Sequence, residues 1–166
     1  MLEGMGPPFT IDAMNEGDIE VVLGIDAAVT AERIREELAR PWARMWVARG
    51  LDGGAVAFLL AWYVADEVHV LDVAVDVAYR RRGIARALMG QALALARSHE
   101  ARQVLLEVRR SNTAAIRLYR SAGFFARGVR RRYYSDDEDA VEMVLLLDPK
   151  TGVVVVSTDE VEVGSS

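Results

Sequence analysis

The sequence contains no cysteine. That removes thiolate nucleophiles, cysteine-based zinc sites and disulfide frameworks together, and it agrees with a reducing compartment. Lysine occurs once, at Lys150, against nineteen arginines; because it follows no glycine-rich turn, a phosphate loop of the nucleotide-hydrolysing kind is excluded. The only histidines, His69 and His99, lie too far apart for a local metal motif, and His-Glu-x-x-His does not occur, so no metal is expected. Long apolar runs are missing as well. The longest, from Ala55 to Ala65, falls well short of the ~20 residues that span a bilayer. The N-terminal MLEGMGPPF has neither the basic nor the apolar region of a signal peptide. The expectation is a cytoplasmic protein with no membrane partner.

What is present describes one globular domain: 166 residues, 52% hydrophobic and 27% charged. A net charge of −5 argues against a nucleic-acid partner. Residues 1–8 form a Gly/Pro-rich leader, 9–148 the domain, and 149–166 an extension that either adds a strand from Val153 to Val156 or remains flexible. Oligomeric state is not readable, although a valine-rich tail can pair with a sheet edge.

Along the chain, Phe9 onwards alternates like a half-buried strand. A helix capped by Asn15, with Asp18 three residues on, runs through Val29, and a second starts at Thr30, buries Ile34 and Leu38, and stops at Pro41. Two strands, 43–51 and 55–65, meet at Asp52-Gly53-Gly54 as a hairpin, and VHVLDVAV follows as a third. An alanine-rich helix from Gly83 to about Ala101 buries Ile84, Leu88, Ala92 and Leu95. The strand from Gln103 must then run parallel to the one before that helix. Asn112 or Ser111 caps a helix that Gly123 ends, with Phe124 packed beneath, and two antiparallel strands enclose the acidic loop SDDED. The fold class is α/β (α+β), a mixed, mostly antiparallel twisted sheet with a parallel central strand pair and flanking helices.

The turn Arg80-Arg81-Arg82-Gly83-Ile84-Ala85 joins a strand to a helix. Its glycine lets an anion approach backbone N–H groups at the helix start, and its arginines neutralise charge; a solvated basic turn reads equally well from these residues. Arg80-x-x-Gly83-x-Ala85, after Val73-Ala74-Val75, resembles the acetyl-CoA signature of the GNAT acetyltransferase superfamily. LEVRRSNTAAIRLYRSAGF, RRRYY and EDAVEM further resemble the ribosomal-protein-alanine N-acetyltransferases and their N-terminal acetyltransferase relatives, in the same order and spacing.

The resemblance implies the GNAT fold and acetyl-CoA as acetyl donor. It implies that the pyrophosphate sits on Arg81, Arg82, Gly83, Ile84, Ala85 and Arg86 with Arg80 beside them. Val73, Ala74 and Val75 would hold the pantetheine arm and thioester, and Asn112 would approach the sulfur. Glu107 falls on the general base and Tyr119 on the general acid. Tyr133 and Tyr134 fall where relatives hold the acceptor. Asp72, which interrupts an apolar run on the strand beside the presumed cleft, is from its own position a second candidate base on the substrate side, and a hydrogen-bonded strand residue reads equally from the pattern. A modest carboxylate base suits an α-amine, roughly a tenth of which is neutral at pH 7, better than a lysine. The implied acceptor is a protein N-terminus, with a small-molecule amine as alternative and a non-catalytic CoA-binding module as a third reading. In the relatives the first two helices are joined by a longer connection with an aromatic-Pro-Trp segment; here IDAAV passes straight into TAERI, which leaves the acceptor open. The run Arg127, Arg130, Arg131, Arg132 invites a nucleic-acid or ribosome reading, but strand alternation spreads these side chains over two faces and the neighbouring SDDED can neutralise them, so a solvated surface is expected.

Overall fold

Eight strands and four α-helices follow one another along the chain in a computed structural model that describes residues 8–164. The strands are β1 (Thr10–Ala13), β2 (Ala43–Arg49), β3 (Ala55–Val64), β4 (Glu67–Val75), β5 (Gln103–Arg109), β6 (Phe125–Arg130), β7 (Ala140–Leu147) and β8 (Val154–Val155). The helices are α1 (Ile19–Ile25), α2 (Ala31–Ala39), α3 (Ile84–Ser98) and α4 (Thr113–Ala122). Strand order is β1-β2-β3-β4-β5-β7-β6, with β8 also on β7. β4 and β5 pair in parallel, from Glu67–Gln103 to Val70–Leu106, and β5 pairs antiparallel with β7 along its whole length. This is the expected mixed, mostly antiparallel sheet. Among the described residues no helix is long and apolar enough to cross a membrane.

By internal contacts the chain forms two compact units: residues up to Trp62 together with Asp72–Gln91, and Tyr63–Leu71 together with the chain from Ala92 onwards. In the first, the Asn15 carboxamide accepts from Gly17 N–H at 2.8 Å while Asn15 N–H donates to Asp18 at 3.0 Å, a reciprocal cap that opens a 3-10 turn leading into α1. α1 stops at Ile25, because the chain turns extended at Asp26, and does not reach Val29. Thr30 caps α2 by accepting from Arg33 N–H at 3.1 Å.

The buried face of α2 departs from expectation. Ile34 is buried, but Leu38 is exposed and the side chain beside it, Glu37, is fully enclosed. Its carboxylate accepts from Arg33 Nε at 2.9 Å, Arg40 Nη1 at 2.7 Å and Trp62 Nε1 at 2.6 Å. Three donors offset the cost of removing that charge from water.

In the second unit, Asn112 caps α4 by accepting from Ala115 N–H at 3.2 Å. Gly123 ends the helix at φ 110°, and Phe124 N–H returns to Tyr119 C=O at 3.0 Å. β8 is shorter than the Val153–Val156 strand expected; it pairs with β7 at Leu146 and Leu147, and the residues after it fold back on α4 and β6. A Cβ at Gly123 would lie 2.9 Å from Val154 Cγ1, so this cap demands glycine twice over, for conformation and for space.

Candidate active site

β4 carries Val73, Ala74 and Val75, all half-buried. The chain then turns at Asp76, whose N–H donates to Val56 C=O at 2.8 Å and whose carboxylate accepts from Ala78 N–H at 2.9 Å. The result is a single 3-10 turn, Val77–Tyr79, an element the apolar pattern did not disclose. Beyond it, Arg81 (φ 63°) and Gly83 (φ 79°) both take the left-handed conformation, and α3 begins at Ile84. That conformation is free for glycine but costs roughly 1–2 kcal/mol for arginine. A Cβ at Gly83 would meet nothing within 4 Å, so the space beside the turn is open.

Within this turn the side chains divide. Arg80, Arg81, Arg82 and Arg86 are exposed, Ala85 is half-buried, and Ile84 is buried, so its side chain anchors the helix in the core and leaves its backbone at the helix start. Arg80 Nε donates to Val75 C=O at 3.3 Å, and the Arg82 guanidinium lies 5.1 Å from the Tyr79 ring centroid. An exposed cationic turn with two left-handed residues ahead of a helix presents backbone N–H groups and guanidinium groups together, which suits a phosphate.

Asp72, on β4 in the same unit, is hydrogen-bonded to the Asp26 side chain at the end of α1. Burial, then the charge of Asp26 and that hydrogen bond, push Asp72 up to about 7, against the pull of Val73 N–H and Arg33. Asp72 therefore gains or loses its proton near neutrality. Sequence reading singled out Asp72 but not Asp26, because nothing in the local pattern brings α1 to β4.

In the second unit, Glu107 lies on β5 directly opposite Glu142 on β7. Like charges so placed repel, and two arginines of β6 resolve it. Arg127 Nη2 donates to Glu142 Oε1 at 2.7 Å, Arg130 Nη2 to Glu142 Oε2 at 3.1 Å, and Arg130 Nη2 lies 3.7 Å from Glu107 Oε1. Burial opposes the ionisation of Glu142, yet Arg127 and Arg130 hold it below the usual carboxylate range. At 3.7 Å the Glu107 contact is an ion pair rather than a hydrogen bond, so the carboxylate is not clamped to that guanidinium.

This corrects one expectation: Arg127 and Arg130 are neutralised by Glu142 and Glu107, not by SDDED. The acidic loop serves other partners. Arg109 Nη1 donates to Asp136 Oδ2 at 2.9 Å and Glu138 Oε1 at 3.0 Å, and its guanidinium lies 4.1 Å from the Tyr134 ring centroid. Tyr133 stands edge-on to Tyr134 at 5.0 Å and is exposed; burial raises the Tyr134 phenol above its ordinary pKa. Glu142, Arg109 and Arg130 were missed as site residues because strand register decides their partners.

Tyr119, on α4, is 6% exposed with its ring tilted 5.8 Å from that of Phe124. Asn112 is exposed at the start of the same helix, its side-chain oxygen engaged in the cap. Among the described residues no group of three or more His, Asp or Glu side chains is placed to hold a metal ion.

A mostly antiparallel sheet with a single parallel pair, and a cationic left-handed turn opening the helix between those two strands, define a GNAT-type fold. The chain belongs to the acetyltransferase (GNAT) family, whose profile matches residues 18–124. It is 39% identical over 97 residues to the ribosomal protein bS18-alanine N-acetyltransferase of Escherichia coli K12, covering 57% of this chain and 66% of that protein, a little under two thirds of its length. It is 34% identical over 109 residues to a putative ribosomal protein bS18-alanine N-acetyltransferase of Bacillus subtilis, covering 65% and 72%. Ard1 of Thermoplasma volcanium superposes with a TM-score of 0.75 at 30% identity, covering 90% of this chain and 99% of the other.

Proposed function

We propose that this chain is an acetyl-CoA-dependent N-acetyltransferase whose acceptor is a protein N-terminal α-amine. The observation that carries the donor half is the turn at Arg80–Arg86, with left-handed Arg81 and Gly83, open space at the glycine and exposed guanidinium groups. These residues fit the pyrophosphate of CoA, while Val73, Ala74 and Val75 offer backbone groups to the pantetheine arm and thioester, and Asn112 is assigned to the sulfur by its match to the family motif alone. Acetyl-CoA, when bound, supplies an activated acetyl group. The acceptor half leans on the named relatives, which are ribosomal-protein-alanine N-acetyltransferases.

Each residue then has one task. Glu107, paired with Arg130, takes a proton from the attacking amine, directly or through water. Backbone N–H groups at Val73–Val75 polarise the thioester carbonyl. Tyr119 holds a proton at its hydroxyl for the thiolate leaving group; ordinary phenol and thiol pKa values of about 10 and about 8.5 put that transfer uphill by only about 2 kcal/mol. Tyr133, Tyr134 and Asp72 contact the acceptor. The protein works in the cytoplasm without nucleic acid or a membrane.

A second acceptor class, small-molecule amines, is favoured by one feature: only residues 26–30 connect α1 to α2, a short wall for a peptide groove. Incubation with acetyl-CoA, peptides bearing free N-termini and a panel of small amines separates the two. Turnover of peptides with blocked N-termini left untouched is expected; turnover of free amines alone overturns the N-terminal reading. Binding of acetyl-CoA without transfer to any amine overturns the enzyme.

A further inference from the structure

The residues after β8 fold back along the second unit. Asp159 Oδ1 accepts from Ala126 N–H at 2.9 Å, Asp159 also pairs with Arg120, and Glu160 N–H donates to Ala126 C=O at 2.8 Å. This ties the chain to β6 at its bulge, where the register with β7 shifts between Ala126 and Gly128. The segment then reaches Arg110, one residue past β5. Arg110 Nε donates to Val163 C=O at 2.8 Å and Nη2 to Glu162 C=O at 3.1 Å.

The rest of Arg110 faces the loop that carries Tyr133 and Tyr134. Its Nη1 donates to Asp139 Oδ2 at 3.2 Å and its backbone N–H to Asp139 C=O at 3.1 Å. Asp139 in turn accepts from Arg132 N–H at 3.0 Å through Oδ1, which closes the loop on itself. A guanidinium is planar with donors in fixed directions. Two of its edges fixed by tail carbonyls set the direction of the third.

We propose that Arg110 is a positioning residue for the acceptor loop 131–139 and that residues 159–164 are the strap that holds its guanidinium in place. The extension is thus part of the acceptor side of the enzyme. This rests on the reading of that loop as acceptor-binding. Without the strap the guanidinium loses both carbonyl acceptors and turns to water, and Asp139 keeps only its backbone link to Arg110. Lysine at 110 retains the charge but cannot serve three acceptors in one plane.

The test compares the intact chain with a variant ending at Thr158 and with Arg110→Lys, by amide hydrogen exchange of segment 131–139 and by steady-state kinetics with an N-terminal peptide. Expected are at least tenfold faster exchange in the loop, a fivefold or larger rise in peptide KM, and kcat and acetyl-CoA KM within twofold of the intact chain. Arg110→Lys gives the same pattern at smaller amplitude, which guards against a truncation that simply fails to fold. Unchanged loop exchange in both variants overturns the strap. Faster exchange with unchanged peptide KM, or an equal loss for peptide and acetyl-CoA, overturns its role in acceptor positioning. If the intact chain acetylates no peptide, the acceptor reading has failed, and loop exchange alone decides the strap.

Discussion

Glu107 and Glu142 stand face to face across the β5–β7 ladder, and Arg130 reaches both. The proposed base therefore shares its counter-ion with a carboxylate that holds the same arginine more tightly. Removing Glu142 releases Arg130 towards Glu107. Glu142→Gln is expected to lower kcat several-fold by making Glu107 a weaker base, with acetyl-CoA KM unchanged, and the pH profile of kcat/KM should show the acidic limb moved to lower pH.

Glu107→Gln removes the proton acceptor itself. A positioned general base contributes about 10²–10⁴-fold, so a loss of at least a hundredfold in kcat at pH 7 is expected. The deficit should narrow as pH rises towards the α-amine pKa of about 7.8, where the acceptor is increasingly neutral without help. A pH-independent deficit would count against the base assignment.

Tyr119→Phe keeps a ring in a buried site beside Phe124. Stability should change by no more than about 1.5 kcal/mol. kcat should drop by one to two orders of magnitude while CoA binding, measured by calorimetry, stays within twofold. Full activity in this variant favours a non-catalytic role for the hydroxyl.

The Asp72–Asp26 pair makes a prediction about stability and pH. Burial and Asp26 raise Asp72 to about 7, from an ordinary 3.8. Between those values the unfolded chain has lost a proton that the folded chain keeps. Stability from this site is thus greatest below about pH 4 and falls as pH rises towards 7, by at most about 1.4 kcal/mol per pH unit. Asp72→Asn carries no titrating group. It should be more stable than the parent at pH 7, with the gap closing towards pH 4, when urea midpoints are compared across that range.

Glu37 offers a contrast, since its charge is buried but served by three donors. Glu37→Ala leaves Trp62 Nε1 without that acceptor and opens a void. Because Arg33 and Arg40 remain partly exposed and can rehydrate, the cost should be about 2–3 kcal/mol rather than more. Glu37→Gln, which retains an oxygen for Trp62, should cost less, as thermal unfolding of both variants would show.

Features decided within a few residues were legible in the sequence. Asn15, Thr30 and Asn112 cap their elements, Gly123 ends α4, and Asp52-Gly53-Gly54 turns the hairpin, because each partner lies within one turn of chain. Features that depend on which strand lies beside which were not. The partners of Arg127 and Arg130 needed the β6–β7 register, Glu37 in place of Leu38 needed Trp62 from β3, and Asp26 needed β4. Hydrophobic spacing places Leu38 on the inner face of α2, and the tryptophan donor outweighs it. The turn at Arg80–Arg86 was visible as residues, but not its left-handed pair, nor the 3-10 turn before it, which Asp76 caps.

The contact between Gly123 and Val154 sets a rule for sequence drift. A left-handed helix end by itself accepts asparagine at modest cost, and many chains could exchange the two freely. Here the valine of the returning tail occupies the volume that any side chain would need. Asparagine at 123 therefore becomes tolerable only after Val154 has shrunk, so the two positions should change in that order, and a graft that transplants the tail must carry the glycine with it.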